Sequence, residues 1–140
     1  MAKPSVLFIC THNSARSQMA EGLLRAKYGD RYAVASAGTE QTHVRPLAIR
    51  AMQDIGIDIS DHTSKTIDTV TADQTFDVVV TVCDHAREAC PYVPAREQNL
   101  HQSFDDPSAA TGSEEEQLAV FRRVRDEIAG WIDTVFGPAP

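Results

Sequence analysis

The sequence predicts a single α/β domain built on a parallel sheet, and three observations carry that prediction. Ser5 to Cys10 (SVLFIC) is an unbroken apolar run of strand length, and Met19, Ala20, Leu23 and Leu24 then recur at helical spacing within Ser14 to Tyr28. Phe76 to Val82 (FDVVVTV) is β-branched and nearly all apolar, as expected of a strand covered on both faces. Strands alternate with helices along the chain, which calls for crossover connections and a three-layer sandwich with helices on both sides of the sheet.

The elements follow in order. Ser5 to Cys10 is the first strand and Ser14 to Tyr28 the first helix, stopped at Gly29-Asp30. Tyr32 to Ala37 reads as a second strand ending at Gly38. A helix runs from Pro46 to Ile55, because proline suits the first helical position, Ala48, Met52 and Ile55 share a face, and Gly56 suits the end. Phe76 to Val82 is the central strand. Ser113 with Glu116 forms a capping box for a long last helix, whose face is marked by Leu118, Phe121, Val124, Ile128, Trp131 and Val135 before Gly137.

The 140 residues, 42% hydrophobic and 24% charged, suit one ordinary globular domain spanning residues 1–140. No stretch approaches the roughly 18 apolar residues of a membrane span, and Ser5 to Cys10 is too short for a signal-peptide core, so a cytoplasmic protein without membrane contact is expected. A net charge of −7 argues against a nucleic-acid surface while leaving room for a small anion in a local positive pocket. Three cysteines without an export signal point to reactive or buried thiols rather than a disulfide framework.

The informative junction is Cys10-Thr11-His12-Asn13-Ser14-Ala15-Arg16-Ser17, between the first strand and its helix. Ligands of open α/β sheets sit beyond the carboxyl ends of strands, and a helix N-terminus offers unpaired N–H groups with partial positive charge, so a tetrahedral oxyanion fits there. Arg16 can curl back to offer a planar charged fork to two oxygens. The same positive surroundings favour a thiolate at Cys10. Ser17 can donate a hydrogen bond to that sulfur, and Asn13 tolerates a left-handed turn. The bland reading is a cysteine ending a buried strand and a solvated arginine; the strand before and the amphipathic helix after weigh against it.

Cys83 ends the apolar strand, and Cys90 follows across Asp84 to Ala89 (DHAREA), directly before Pro91. If that stretch is helical, the two thiols stand about 10.5 Å apart along the axis, beyond the roughly 7 Å a disulfide tolerates. Bridging them requires the turn to unwind, which Pro91 and its shortness favour. Two unrelated buried cysteines are the plain alternative. A zinc site from Cys83, His85 and Cys90 lacks the close ligand pairing of structural zinc centres. Asp106, in Asp105-Asp106-Pro107, is a candidate acid on a polar loop, although Asp before Pro is a common turn opener and the pattern alone favours a turn.

Cys10 to Ser17, Asp106-Pro107 and the order of elements resemble the low-molecular-weight protein tyrosine phosphatase family across nearly the whole chain, and more closely the thioredoxin-coupled arsenate reductases of that fold. The resemblance implies a four-stranded parallel sheet flanked by helices. It also implies an arsenate reductase for arsenic detoxification, in which Cys10 is the nucleophile, Thr11, His12, Asn13, Ser14, Ala15, Arg16 and Ser17 bind arsenate, and Asp106 protonates the departing oxygen. Cys83 and then Cys90 carry the oxidising equivalents away, and thioredoxin reduces the last disulfide. Phosphate and sulfate are expected as analogues of arsenate, with weak phosphatase side activity. The enzyme is read as a monomer needing no metal or organic cofactor. Two departures from the tyrosine phosphatases are visible: position 15 is alanine rather than a second loop cysteine, and no tyrosine follows Asp106-Pro107. Some such reductases hold potassium by residues resembling Asn13, Glu21, Ser36 and an acid; here Lys65 stands near where that acid is expected, so either its ammonium replaces the ion or it is an ordinary exposed lysine. A phosphatase of small phosphomonoesters and a non-catalytic thiol sensor or arsenite-binding protein are the rival readings.

Overall fold

A computed structural model describes residues 3–72, 74–83 and 92–137. Four strands, β1 (Ser5–Cys10), β2 (Ala33–Gly38), β3 (Val78–Thr81) and β4 (Gln98–His101), form one sheet in the order β2-β1-β3-β4, every pairing parallel. The helices are α1 (Arg16–Tyr28), α2 (Pro46–Gln53), α3 (Ile67–Thr71) and α4 (Glu114–Phe136). The expected α/β architecture with a four-stranded parallel sheet flanked by helices is therefore the one observed.

β1 explains the two layers. Its side chains alternate across the sheet, so Val6, Phe8 and Cys10 enter one buried cluster with α1, α2 and α4, while Leu7 and Ile9 enter a smaller one with Phe76, Val79 and the α3 residues Ile67 and Val70. The sheet is thus covered unequally. Three helices close one face, and α3 with Val93 and Ala95 covers part of the other.

Three expectations are corrected in detail. The first helix begins at Arg16 rather than Ser14, because residues 11–15 form the loop. α2 ends at Gln53, leaving Ile55 43% exposed instead of on the buried face with Ala48 and Met52; the chain reverses at Gly56, whose φ of +79° suits glycine. On α4 the buried stripe runs through Leu118, Phe121, Val124, Ile128, Ile132 and Phe136, while Trp131 is half-buried and Val135 exposed. A helix turning every 3.6 residues returns to the same face at 118, 132 and 136, whereas the tighter expected spacing drifts off it. β4 and α3 carry no clear sequence signal. β4 is a polar edge strand with its residues mostly exposed, and α3 has only five residues, started by the Thr66 side chain accepting from the Thr69 amide. The Asp84 to Ala89 turn lies outside the described residues.

Candidate active site

The loop from Cys10 to Ser17 closes on itself because its carbonyls are held outward. Thr11 O accepts from the Thr39 and Glu40 amides, His12 O from the Thr42 and Ser64 hydroxyls, Asn13 O from Gln18 Nε2, and Ser14 O from the Arg45 amide. With the acceptors turned away, the amides of His12, Asn13, Ser14 and Ala15 donate to no protein acceptor among the described residues. Asn13 makes the reversal at φ +48°. Gly38, at the end of β2, lets the sheet approach: a Cβ there would sit 2.7–2.8 Å from Thr11 O, Asn13 N and Cys10 O. The result is a ring of unpaired donors at the N-terminus of α1, the geometry of an oxyanion cradle.

Cys10 is free, 2% exposed, and its Sγ lies 2.8 Å from Ser17 Oγ. The direction of that bond follows from its neighbours. Asn13 Nδ2 donates to Ser17 Oγ at 2.8 Å and to Ser36 Oγ at 3.0 Å, while Ser36 donates in turn to Glu21 Oε1. Each serine already accepts from Asn13, so the Ser17 proton is left to point at sulfur, which stabilises a thiolate. Asn13 is itself locked, its Oδ1 accepting from the Lys65 amide at 2.7 Å and from Gln18 Nε2 at 3.0 Å.

Arg16 is almost wholly buried. Its Nη1 donates to Phe104 O at 3.4 Å, and its Nη2 lies 3.7 Å from Asp106 Oδ2. Asp106 also opens a 3₁₀ turn, Pro107–Ala109, its Oδ1 accepting from the Ser108 amide at 2.9 Å. One carboxylate oxygen therefore fixes the loop while the other faces the arginine. Neighbouring Asp105 pairs with Arg123 of α4 at 3.0 Å, tying the same loop to the helix.

The loop residues do not all contribute alike. His12 turns its side chain to the rim, 3.3 Å from Glu40, and offers the cradle only its backbone. Thr11, Asn13, Ser14 and Ala15 shape the ring, and Ser17 supports the sulfur. Cys83 is fully buried just beyond β3, in the same cluster as Cys10, and is disulfide-bonded. The register that sets Ile9 opposite Thr81, with the Val82 amide donating to Ile9 O, brings the two strand ends side by side. Cys90 lies outside the described residues.

Behind the cradle is a charged cluster. The buried Glu21 carboxylate meets Arg25 at 2.8 Å, His62 at 3.7 Å and Lys65 at 3.9 Å. Burial pushes His62 below the ordinary histidine range; Glu21 opposes that shift and Arg25 reinforces it. His62 Nδ1 pairs with Gln18 Oε1, an obligate acceptor, and its Nε2 faces an Arg25 N–H, so the neutral Nδ1–H tautomer satisfies both. A potassium ion does not fit this group, because two side-chain cations already face Glu21 and Asn13 Oδ1 is taken by two donors. Sequence reasoning missed Gln18, Gly38 and the flanking Thr39, Thr42 and Ser64; of these only Gly38, a glycine ending a strand, carried a signal.

A family model described as low molecular weight phosphotyrosine protein phosphatase matches residues 5–136. An arsenate reductase of Halalkalibacterium halodurans is 52% identical over 134 residues, 96% of each chain. Among solved structures, an arsenate reductase in the phosphate binding state aligns with a TM-score of 0.79 at 34% identity, covering 96% of this chain and 97% of that one. A thioredoxin-dependent arsenate reductase of Corynebacterium glutamicum gives a TM-score of 0.70 at 28% identity, covering 96% of this chain and 61% of that one. On matches of this length and identity, the chain belongs to the low molecular weight phosphotyrosine protein phosphatase family, on the side of its arsenate reductases.

Proposed function

We propose that the protein reduces arsenate to arsenite by a three-cysteine relay and is regenerated by thioredoxin, serving arsenic detoxification. The observation that carries this reading is the pairing of two chemistries at adjacent strand ends: a free Cys10 inside a ring of unpaired amides, and a disulfide-bonded Cys83 beside it. An oxyanion cradle alone would serve hydrolysis; a neighbour that cycles between thiol and disulfide serves electron transfer.

Arsenate sits against the loop amides and the Arg16 fork. The Cys10 thiolate attacks arsenic, a sulfur–arsenic bond forms, and one oxygen departs as water with a proton from Asp106. With the disulfide at Cys83 already reduced by the thioredoxin dithiol, the Cys83 thiolate then attacks Cys10 Sγ; the sulfur–arsenic electron pair passes to arsenic, arsenite leaves, and a Cys10–Cys83 disulfide remains. Cys90 attacks Cys83, freeing the Cys10 thiolate, and the Cys83–Cys90 disulfide passes to a thioredoxin dithiol. Arsenate-dependent NADPH oxidation should proceed with thioredoxin and its reductase, and not with glutathione and glutaredoxin. Cys90→Ser should give one turnover per enzyme and stop; sustained turnover of that variant with thioredoxin would refute the relay.

Lys65 takes the place of the potassium ion, its ammonium facing Glu21 while its amide holds Asn13. Turnover should be indifferent to replacing sodium with potassium at constant ionic strength, and strong activation by potassium would count against this role. Hydrolysis of small phosphomonoesters is the second reading. It is favoured by a cleft of about 340 Å³ that opens beside the loop and extends past Ser14 to Arg45 and Ser108, room for more than a bare oxyanion.

A further inference from the structure

That cleft has a distinct chemistry of its own. Its walls include His12, Ser14, His43, Arg45, Asp106 and Ser108. Ser108 Oγ is buried and is the single buried side-chain N or O among the described residues without a hydrogen-bond partner. A hydroxyl so enclosed is closed to a ligand in the cleft and takes no part in recognition there. The Arg45 backbone is pinned to the loop by its bond to Ser14 O at 2.9 Å, yet its guanidinium, like the His43 imidazole, has no partner among the described residues. Of the other charged walls, His12 is occupied by Glu40 and Asp106 is directed at Arg16. Among the described residues, no aromatic side chain other than the two histidines lines the cleft. An aryl leaving group would find no flat apolar wall among the described residues, whereas a carboxylate would find the permanent planar cation of Arg45.

We propose that this cleft is a subsite for an anionic group, a carboxylate, carried on the leaving alcohol of a small aliphatic phosphomonoester whose phosphoryl group occupies the Cys10 loop. The proposal rests on the phosphoryl-transfer reading above. In that reaction a Cys10 sulfur–phosphorus bond forms, the ester P–O bond breaks, and Asp106 protonates the departing hydroxy acid. Water then displaces the thiolate and releases inorganic phosphate. Arg45 binds the carboxylate in the first step and lets it go with the alcohol.

Phosphonates separate binding from turnover because they have no ester bond to break. Calorimetric titration of the full chain with phosphonoacetate, ethylphosphonate and phenylphosphonate, each in competition with arsenate, should find phosphonoacetate bound about tenfold more tightly than ethylphosphonate, the increment of one well-placed charged hydrogen-bond pair. Arg45→Gln should bring that ratio close to one, and Arg45→Lys should keep most of it. Equal binding of the first two compounds, tightest binding of phenylphosphonate, or a preference that survives Arg45→Gln would each overturn the subsite. Phosphate release from phosphoglycolate and ethyl phosphate is measured alongside. Release from neither, with the phosphonoacetate preference intact, overturns the phosphoryl-transfer reading and leaves an anion subsite that bears only on inhibition.

Discussion

At Ser17 the hydroxyl proton has one place to go, because both amide protons of Asn13 are already committed to serine oxygens. Removing that hydroxyl leaves the Cys10 sulfur facing a void on its donor side. Ser17→Ala should therefore slow alkylation of Cys10 by iodoacetamide at neutral pH and lower kcat/KM for arsenate by about 10- to 100-fold, the value of one hydrogen bond to a charged group. Thermal stability should change far less. Unchanged alkylation would mean the sulfur draws its stabilisation from the amides and Arg16 alone. This scale was also the most legible in the sequence. Cys10, Arg16 and Ser17 announce themselves by residue type between a strand and a helix, and so does the left-handed asparagine. Gln18 did not, since a glutamine on a helix reads as solvated until the fold buries it against Asn13 and Thr63.

Among elements, α4 shows how periodicity must be read over several turns. Ile132 is fully buried and Val135 is 38% exposed, although the apolar pattern had chosen the latter. Ile132→Ala should cost about 2–5 kcal/mol in denaturant unfolding, the range for deleting a buried aliphatic side chain. Val135→Ala should stay within roughly 0.5 kcal/mol, as surface substitutions do. The reverse order of these two numbers would restore the expected stripe. Strands buried on both faces, β1 and β3, were legible because nearly every position is apolar. β4 was not, because an edge strand is recruited by its pairing with β3 and needs little hydrophobicity of its own.

For the whole molecule, His62 links stability to pH. It joins α1 to the segment before α3 through Gln18, Glu21 and Arg25, and burial holds its folded value below the ordinary 6.5. As pH falls below about 6.5 the unfolded chain takes up the proton first, so the stabilisation present above that pH is lost as pH falls through the folded value. The melting temperature of the wild type should fall more steeply between pH 7 and pH 5 than that of His62→Gln. Parallel slopes would remove His62 from the linkage.

By itself the sequence determined the α/β class, the strand–loop–helix junction and the identity of the thiols, because apolar periodicity and residue chemistry are local properties. Only the tertiary structure decided which groups meet. The order β2-β1-β3-β4 sets the ends of β1 and β3 side by side and lets Gly38 pass close beneath the loop. It also folds Lys65 and Arg25 around one buried carboxylate. Asp106 comes to face Arg16 from a turn ninety positions away, a closure that no spacing rule encodes, because it is set by packing against α4 rather than by the residues between.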